Sequence, residues 1–213
     1  MTCVRARTRH APKLRAYLRR ASRAQAGCGT GSLAIPLALK GAAVSASDIS
    51  SVRREALRGG ARGADVLLRA AAQSMASEAQ WRYEAEVAAG AAAPKQPPVF
   101  ATSDLESVTG KYHTVTCLDV MIHYPQDKAD AMVQHLASLA DKRLIISFAP
   151  KTLAYSILKR IGELFPGPSK ATRAYLHAEA DVEAALAKVG WKVTRREMTA
   201  TNFYFSRLLE FSK

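Results

Sequence analysis

The pattern of apolar and polar positions predicts alternating strands and helices along most of the 213-residue chain. Short apolar or β-branched runs predict strands over residues 42–48, 99–102, 112–120 and 143–149. Helical spacing or composition predicts helices over residues 32–40, 50–57, parts of 61–93, 126–140, 152–165 and 180–189. Such alternation predicts a parallel sheet with helices on both faces.

The C-terminal end departs from that alternation. Residues 191–197 and 203–211 alternate apolar with polar positions, after a helix that stops at Gly190, and they predict a closing antiparallel pair. The predicted class is therefore α/β, with a mostly parallel sheet and a C-terminal antiparallel hairpin. Ligands of such sheets bind at the carboxyl ends of the strands. The site is expected near residues 27–31, 48, 102–105 and 119–123.

A glycine-rich loop, "AGCGTG", precedes the first predicted helix. Gly27, Gly29 and Gly31 allow a tight turn in which a ligand touches bare backbone. Residues 29–34 also match the dinucleotide fingerprint with alanine last, so the loop alone leaves three readings open. These are a nicotinamide cofactor, S-adenosylmethionine and a plain turn. Asp48 ends the next strand, where an acid accepts hydrogen bonds from ribose hydroxyls. The alternative role for Asp48 is a helix N-cap.

The net charge of +13 is concentrated at the N-terminus, where eight basic residues precede residue 24 and the first acid is Asp48. A basic tract of this kind is typical of an organelle transit peptide or of a disordered tail, and composition leaves both open. The rest of the chain is only mildly basic and has no aromatic-rich basic motif, so nucleic acid is not the expected partner.

No run of 18 apolar residues suggests a membrane span. Three widely spaced cysteines form no metal-binding or disulfide pattern, which favours a reducing compartment.

Several segments resemble known proteins. "AGCGTGSLAIPLALKGAAVSASDIS" resembles the cofactor segment of class I S-adenosylmethionine-dependent methyltransferases, which have a Rossmann-like fold. "CLDVMIHYPQDKADAM", "HLASLADKRLIISFAPKT", "RIGELFPGPSKATRAYLH" and "REMTATNFYFSRLLE" resemble the magnesium-protoporphyrin IX methyltransferase family of chlorophyll biosynthesis. The resemblance covers residues 26–51 and 99–210 and implies S-adenosyl-L-methionine as methyl donor.

The resemblance also implies roles for individual residues. The cofactor-binding residues would be Gly27, Gly29, Gly31, Asp48, Asp104, Leu105 and Asp119. His123, in the family's "IHYP" sequence, would be catalytic, although a lone histidine is commonly structural. Asp104 would accept from the adenine amine, or else serve as a turn residue. The remaining histidines, at positions 10, 113, 135 and 177, are expected to be structural.

The implied reaction is methylation of one propionate of magnesium protoporphyrin IX, which gives the monomethyl ester. Tyr124, Ile157, Lys170 and Arg173 would bind the porphyrin, with residues 151–177 covering it. Ordinary core packing for residues 152–165, and a solvated loop for Lys170 and Arg173, are the alternatives. No protein metal site is expected, since the magnesium arrives inside the substrate. The resemblance further implies a chloroplast location (stroma, thylakoid or envelope), peripheral membrane contact, and contact with the porphyrin-binding subunit of magnesium chelatase.

The front of the chain departs from this family. A central strand covered on both faces should precede the glycine loop as a continuous apolar run. Instead the sequence over 19–25 is "RRASRAQ", and unpaired buried arginines would cost several kcal/mol each. The first central strand is therefore in doubt, and the chain is divided into a basic segment, 1–25, expected to be disordered or not native to the family, and a methyltransferase domain, 26–213. A mis-assigned start or exon would explain the departure. So would a diverged, non-catalytic porphyrin- or cofactor-binding copy, and a methyltransferase for another carboxylate or for nucleic acid remains a third alternative.

Overall fold

The computed structural model describes residues 22–49, 74–151, 175–200 and 205–213. Its elements are, in chain order, β1 (Ser22–Ala26), α1 (Ala34–Leu39), β2 (Ala43–Asp48), α2 (Met75–Ala88), β3 (Val99–Thr102), β4 (Tyr112–Cys117), α3 (Gln126–Leu139), β5 (Ala140–Phe148), α4 (Glu179–Ala187), β6 (Lys192–Ala200) and β7 (Phe205–Ser212). Short 3₁₀ turns at Leu105–Ser107 and Met121–His123 follow β3 and β4 respectively. The predicted helices at 50–57 and 152–165 lie outside the described residues.

The strands form a sheet with the order β3-β2-β1-β4-β5-β7-β6. Strands β1 to β5 pair in parallel, whereas β7 pairs antiparallel with both β5 and β6. The predicted α/β class, the mostly parallel sheet and the C-terminal antiparallel pair are confirmed. The hydrophobic pattern did not indicate that β7 inserts between β5 and β6, because strand order depends on long-range pairing.

The centre of the sheet is apolar because helices cover it on both sides. Val115 in β4 and Leu144 and Ile146 in β5 are fully buried. They belong to a large cluster with Leu136 of α3 and Leu186 of α4. A smaller cluster of mostly alanine side chains joins α1 to β2. Among the described helices none is long and apolar enough to cross a membrane.

The first central strand, which the sequence left in doubt, is present as β1. Ser22–Ala26 pairs in parallel with β2 on one edge and β4 on the other. Ala24 and Ala26 face the large cluster, and the side chains of Arg23 and Gln25 are also buried, at 7% and 6% exposure. The boundary drawn between residues 25 and 26 therefore falls inside a strand.

The physical reason lies in the backbone and in the two-residue period of a strand. Ala24 and Ala26 lie on the same face of β1, where their small side chains fit the closely packed cluster without strain. Both edges of the backbone are paired, so its polar groups are satisfied. Thr116 Oγ1 adds a hydrogen bond to the carbonyl of Ala24 at 3.2 Å. The prediction from the sequence counted only the cost of burying arginines and left out these favourable contributions.

If β1 is a central strand, Ala24→Asp should unfold the chain. A carboxylate at this buried position would lack a partner, and we expect a loss of at least about 3 kcal/mol in the free energy of unfolding. Urea unfolding followed by circular dichroism measures this loss. The control is Ala131→Asp on the exposed side of α3, which should cost no more than about 1 kcal/mol, mainly through the lower helix propensity of aspartate. Equal stability of the two variants would contradict the position assigned to β1.

Candidate active site

A cavity of about 360 Å³ opens at the carboxyl ends of the central strands. This size is within the range of small-molecule sites. Its lining comes from the loops after β1, β2, β3 and β4, and consists of Gly27, Gly29, Asp48, Ile49, Leu105, Leu118, Asp119, Val120, His123 and Tyr124. The cavity therefore lies where the strand–helix alternation predicted a ligand site.

The glycine loop after β1 is bound to the end of β2. The amides of Gly27 and Cys28 both donate to the carbonyl of Ser47, at 2.8 and 2.9 Å. The amide of Gly29 donates to Asp48 Oδ2 at 2.8 Å. These three bonds bring the loop and the Asp48 carboxylate together on one side of the cavity.

The three glycines of the loop differ in what a side chain at each position would meet. A Cβ at Gly27 would lie only 2.1 Å from Cγ2 of Val120, so the first glycine allows the loops after β1 and β4 to touch. Gly29 has φ +51° and faces open space on the cavity side. Gly31 does not line the cavity. Its missing side chain makes room for Ile35, whose Cδ1 would be 2.8 Å from a Cβ at that position.

Asp48 is almost completely buried, at 8% exposure, and its side chain borders the cavity. Its carboxylate accepts a hydrogen bond from the amide of Gly29, and its negative charge affects the pKa of the neighbouring Cys28 thiol. Burial, followed by the negative charge of Asp48, raises the pKa of Cys28 to about 12. Cys28 is therefore a protonated thiol at neutral pH rather than a nucleophile. The predicted N-cap role of Asp48 concerns a segment outside the described residues.

Asp119 lies at the start of the loop after β4, in a left-handed conformation with φ +58°. Its amide donates to Ser147 Oγ at 2.9 Å, and its Oδ1 accepts from Ser147 Oγ and Ser206 Oγ at 2.8 and 2.9 Å. Ser147 is on β5 and Ser206 is on β7. These bonds from two neighbouring strands hold an uncommon backbone conformation that non-glycine residues rarely adopt.

His123 and Tyr124 follow on the same loop and complete the cavity. The amide of His123 donates to the carbonyl of Val120, and that of Tyr124 donates to Met121, which forms a tight 3₁₀ turn. The His123 side chain is exposed and Tyr124 is half-buried. Burial, with smaller effects from the carboxylate of Asp104 and from Cys117, raises the pKa of Tyr124. The phenol is therefore a hydrogen-bond donor throughout the physiological pH range.

The loop after β3 brings only one of its two predicted residues to the cavity. Leu105 is buried and forms part of the lining. Asp104 is at the N-cap of the turn Leu105–Ser107, with Oδ1 3.4 Å from the amide of Glu106. Asp104 is thus placed as the turn residue that sequence reasoning gave as the alternative, and its contact with adenine stays a prediction.

The remaining predicted residues, Ile157, Lys170 and Arg173, lie outside the described residues. Within the ranges that the structure describes, no group of three or more His, Cys, Asp or Glu side chains is suited to hold a metal ion.

Sequence reasoning missed residues that support the site through long-range contacts. Ser147 and Ser206 hold Asp119, as described above. Arg82 on α2 donates to the carbonyl and to Oγ1 of Thr30, at 3.1 and 2.7 Å, and so fixes the glycine loop from the other side. None of these residues has a local sequence signal, because each acts on a partner at least 28 positions away.

Comparisons with known proteins agree with this arrangement. A family profile described as "Magnesium-protoporphyrin IX methyltransferase C-terminus" matches residues 117–213. The chain is 58% identical over 185 residues to an Arabidopsis thaliana protein named "Magnesium protoporphyrin IX methyltransferase, chloroplastic", covering 87% of this chain and 51% of that one. It is 50% identical to a Synechocystis protein named "Magnesium-protoporphyrin O-methyltransferase", covering 87% of this chain and 69% of that one. A crystal structure of the Synechocystis PCC 6803 magnesium protoporphyrin IX methyltransferase with bound SAH superposes with a TM-score of 0.71 and 44% identity, covering 95% of this chain and 81% of that one.

The fold, with the glycine loop and the acid at the end of β2, defines a class I S-adenosylmethionine-dependent methyltransferase. Within that class, the chain belongs to the magnesium-protoporphyrin IX methyltransferase family. The chain spans about half the length of its Arabidopsis relative and about two thirds of the Synechocystis one.

The contact between Gly27 and Val120 can be tested by a paired substitution. Gly27→Ala should lower the free energy of unfolding by about 3 kcal/mol, because the new Cβ overlaps Val120 and the positive φ costs about 1–2 kcal/mol more. Adding Val120→Ala removes the overlap and should recover part of that loss. Urea unfolding of the single and double variants measures both effects.

The matched control is Gly90→Ala, which also has a positive φ but nothing within 4 Å of the added Cβ. This substitution should show the backbone cost alone. If Gly27→Ala is no more damaging than Gly90→Ala, the two loops do not pack as described.

Proposed function

We propose that the chain transfers a methyl group from S-adenosylmethionine to a propionate carboxylate of magnesium protoporphyrin IX, giving the monomethyl ester. The observation that carries this proposal is a single cavity that joins the residues expected to bind the cofactor, Gly27, Gly29, Asp48 and Leu105, to His123 and Tyr124. Family membership supports the same acceptor. The name of the Arabidopsis relative supports a chloroplast location, and the stroma, thylakoid and envelope are the compartments that we consider.

The described residues fit S-adenosylmethionine. The open backbone of Gly29 allows close approach, the buried carboxylate of Asp48 is suited to accept from ribose hydroxyls, and Leu105 offers an apolar surface for the adenine ring. When bound, S-adenosylmethionine supplies a methyl group on a positively charged sulfur. Asp119 would lie on the donor side, although its Oδ1 already accepts from two serines.

The acceptor carboxylate needs no strong base. A propionate is ionised at neutral pH, since carboxyl groups of this type titrate near pH 4–5. His123 would therefore orient the propionate by donating a hydrogen bond, with Tyr124 as a second donor beside it. Opposite charges cancel as the methyl group moves, so a water-poor cavity and correct alignment supply most of the acceleration.

The porphyrin itself would extend beyond the described residues. We keep Ile157, Lys170 and Arg173 as residues that contact the macrocycle and its second propionate, and residues 151–177 as the region that covers it. The magnesium belongs to the substrate. Contacts with the porphyrin-binding subunit of magnesium chelatase and with a membrane surface are further parts of the proposal, whereas nucleic acid is not a proposed partner.

A second candidate is a diverged copy that binds the cofactor or the porphyrin without turnover. The observation in its favour is Gln25, two residues before Gly27, where the resemblance to class I methyltransferases implies an acid. Its side chain is buried, and Oε1 has no hydrogen-bond partner among the described residues. An unpaired buried oxygen costs about 1–3 kcal/mol, and a copy that no longer turns over substrate could retain such a replacement.

Binding of the cofactor should depend on Asp48. Each charge-assisted bond from a ribose hydroxyl contributes roughly 1.5–3 kcal/mol, so Asp48→Ala should weaken S-adenosylhomocysteine binding by at least about tenfold. Asp48→Asn keeps an acceptor for the Gly29 amide but loses the charge, and its loss should be smaller. Titration calorimetry gives both affinities. Asp127→Asn, on the exposed first turn of α3, is the control for loss of an acid, and unchanged affinity in Asp48→Ala would remove the proposed role.

Turnover should depend on His123. His123→Ala should slow formation of the monomethyl ester by on the order of a hundredfold, the cost of a misplaced reacting group, while S-adenosylhomocysteine affinity changes less than about threefold. Chromatography of the porphyrin product measures the rate. His113→Ala, at the amino end of β4, is the matched control and should remain active. A wild-type chain that binds the cofactor but makes no ester would favour the non-catalytic candidate.

A further inference from the structure

The imidazole of His177 is the most completely enclosed polar side chain described, at 0% exposure. It comes from the segment before α4, not from the strands that form the cavity. Its Nε2 lies 2.9 Å from the carbonyl oxygen of Met121, and its Nδ1 lies 2.8 Å from Oε1 of Gln126. The ring of Phe148 packs edge-on against it, with centroids 6.3 Å apart.

These two contacts lie at the two ends of the segment that carries the side chains proposed to orient the acceptor. Met121 begins the 3₁₀ turn and Gln126 begins α3, and His123 and Tyr124 lie between them. One imidazole therefore holds both ends of a six-residue segment. Because a carbonyl oxygen can only accept, Nε2 must carry the hydrogen in the contact with Met121.

The Gln126 side chain is itself fixed. Its Nε2 donates to Asp130 Oδ1 at 2.7 Å, one turn further along α3. This bond assigns the amide oxygen to the side of His177, where a hydrogen bond would require a hydrogen on Nδ1 as well as on Nε2. The hydrogen bond from Nε2 to the backbone of the turn is the one that the neutral ring makes, and the Gln126 amide packs against the other ring nitrogen.

The backbone of the turn is fixed from the same side. The carbonyl of Ile122 accepts from the amide of Tyr175 at 2.8 Å, while the carbonyl of Met121 accepts from Tyr124 as well as from His177. The segment that bears His177 is in turn paired with the end of β5. His177 donates its amide to Ala149, and Lys151 donates to the carbonyl of His177. The turn is therefore connected through His177 to the sheet.

We propose that His177 is a positioning residue, whose hydrogen bond to Met121 and contact with Gln126 fix the turn that presents His123 and Tyr124 to the acceptor. This role rests on the proposed function, because it concerns alignment of the acceptor. It replaces the purely structural role that sequence reasoning gave to this histidine. Cofactor binding depends mainly on the loops after β1, β2 and β3, so loss of the imidazole should affect turnover much more than cofactor affinity.

The test compares His177→Ala, His177→Gln and His177→Asn in the full 213-residue chain. The glutamine amide nitrogen can replace Nε2 and reach Met121, whereas the asparagine nitrogen replaces only Nδ1. We expect His177→Ala to lower kcat at least tenfold, with KM for the porphyrin and S-adenosylhomocysteine affinity within threefold of wild type. His177→Gln should recover kcat to within threefold, and His177→Asn should recover less.

Val182→Ala in α4 is the control for lost stability, since Val182 is buried and its side chain can make no hydrogen bond to the turn. It should lower thermal stability and leave kcat unchanged. Two results would leave the histidine with only a packing role and make the proposal wrong. One is that His177→Ala lowers kcat no more than Val182→Ala does at the same loss of thermal stability. The other is that His177→Gln recovers no kcat relative to His177→Ala.

Amide hydrogen exchange provides a measurement that does not depend on activity. In His177→Ala, the amides of His123 and Tyr124 should exchange at least tenfold faster, while those of β4 stay as slow as in Val182→Ala. Unchanged exchange at these two amides would overturn the positioning role, whatever the assay shows. If the wild-type chain makes no ester but exchange rises as expected, the positioning role stands and the proposed function fails.

Discussion

The pairing of β1 on both edges is the constraint on which the rest of the structure depends. A parallel strand can be stable in the middle of a sheet only if two neighbours satisfy its backbone and helices cover its faces. Here β2 and β4 supply the neighbours, and their carboxyl ends meet at Gly27. The register of this one strand therefore decides where the glycine loop, Asp48 and the loop after β4 come together.

The site shows how hydrogen bonds between elements convert that register into fixed positions. Asp48 is joined to Gly29, Asp119 to β5 and β7, and the glycine loop to α2 through Arg82. Each bond joins residues that are far apart in sequence. The cavity is therefore preorganised by the sheet and its helices, which agrees with a reaction in which alignment matters more than acid–base chemistry.

Most of the fold could be predicted from the sequence pattern, because β4 is rich in β-branched residues, the second half of β5 is largely apolar and α3 has a clear helical stripe. Strand β1 could not, since its stability comes from backbone pairing and from two alanines rather than from a long apolar run.

In the site, Gly27, Asp48 and His123 had local motifs and were found to line one cavity. Gly31 packs against Ile35 and Asp104 caps a turn, and their contacts with the cofactor stay predictions. Ser147, Ser206 and His177 lie in segments that resemble the family, but no local pattern assigned them a role in the site, because their roles arise from tertiary contacts.

Strand β6 limits how this sheet can associate with other chains. It is an outer strand of the described sheet, and nearly all of its side chains are exposed. Arg195 pairs with Glu197 at 2.8 Å, Arg196 reaches Glu179 and Glu183 on α4, and the ladder is irregular between Val193 and Arg195. Charges and ladder irregularities on an outer strand oppose strand addition, since an incoming backbone would have to strip water from ionised groups. A newly synthesised chain can therefore expose this edge in a crowded compartment with little risk of aggregation through strand pairing.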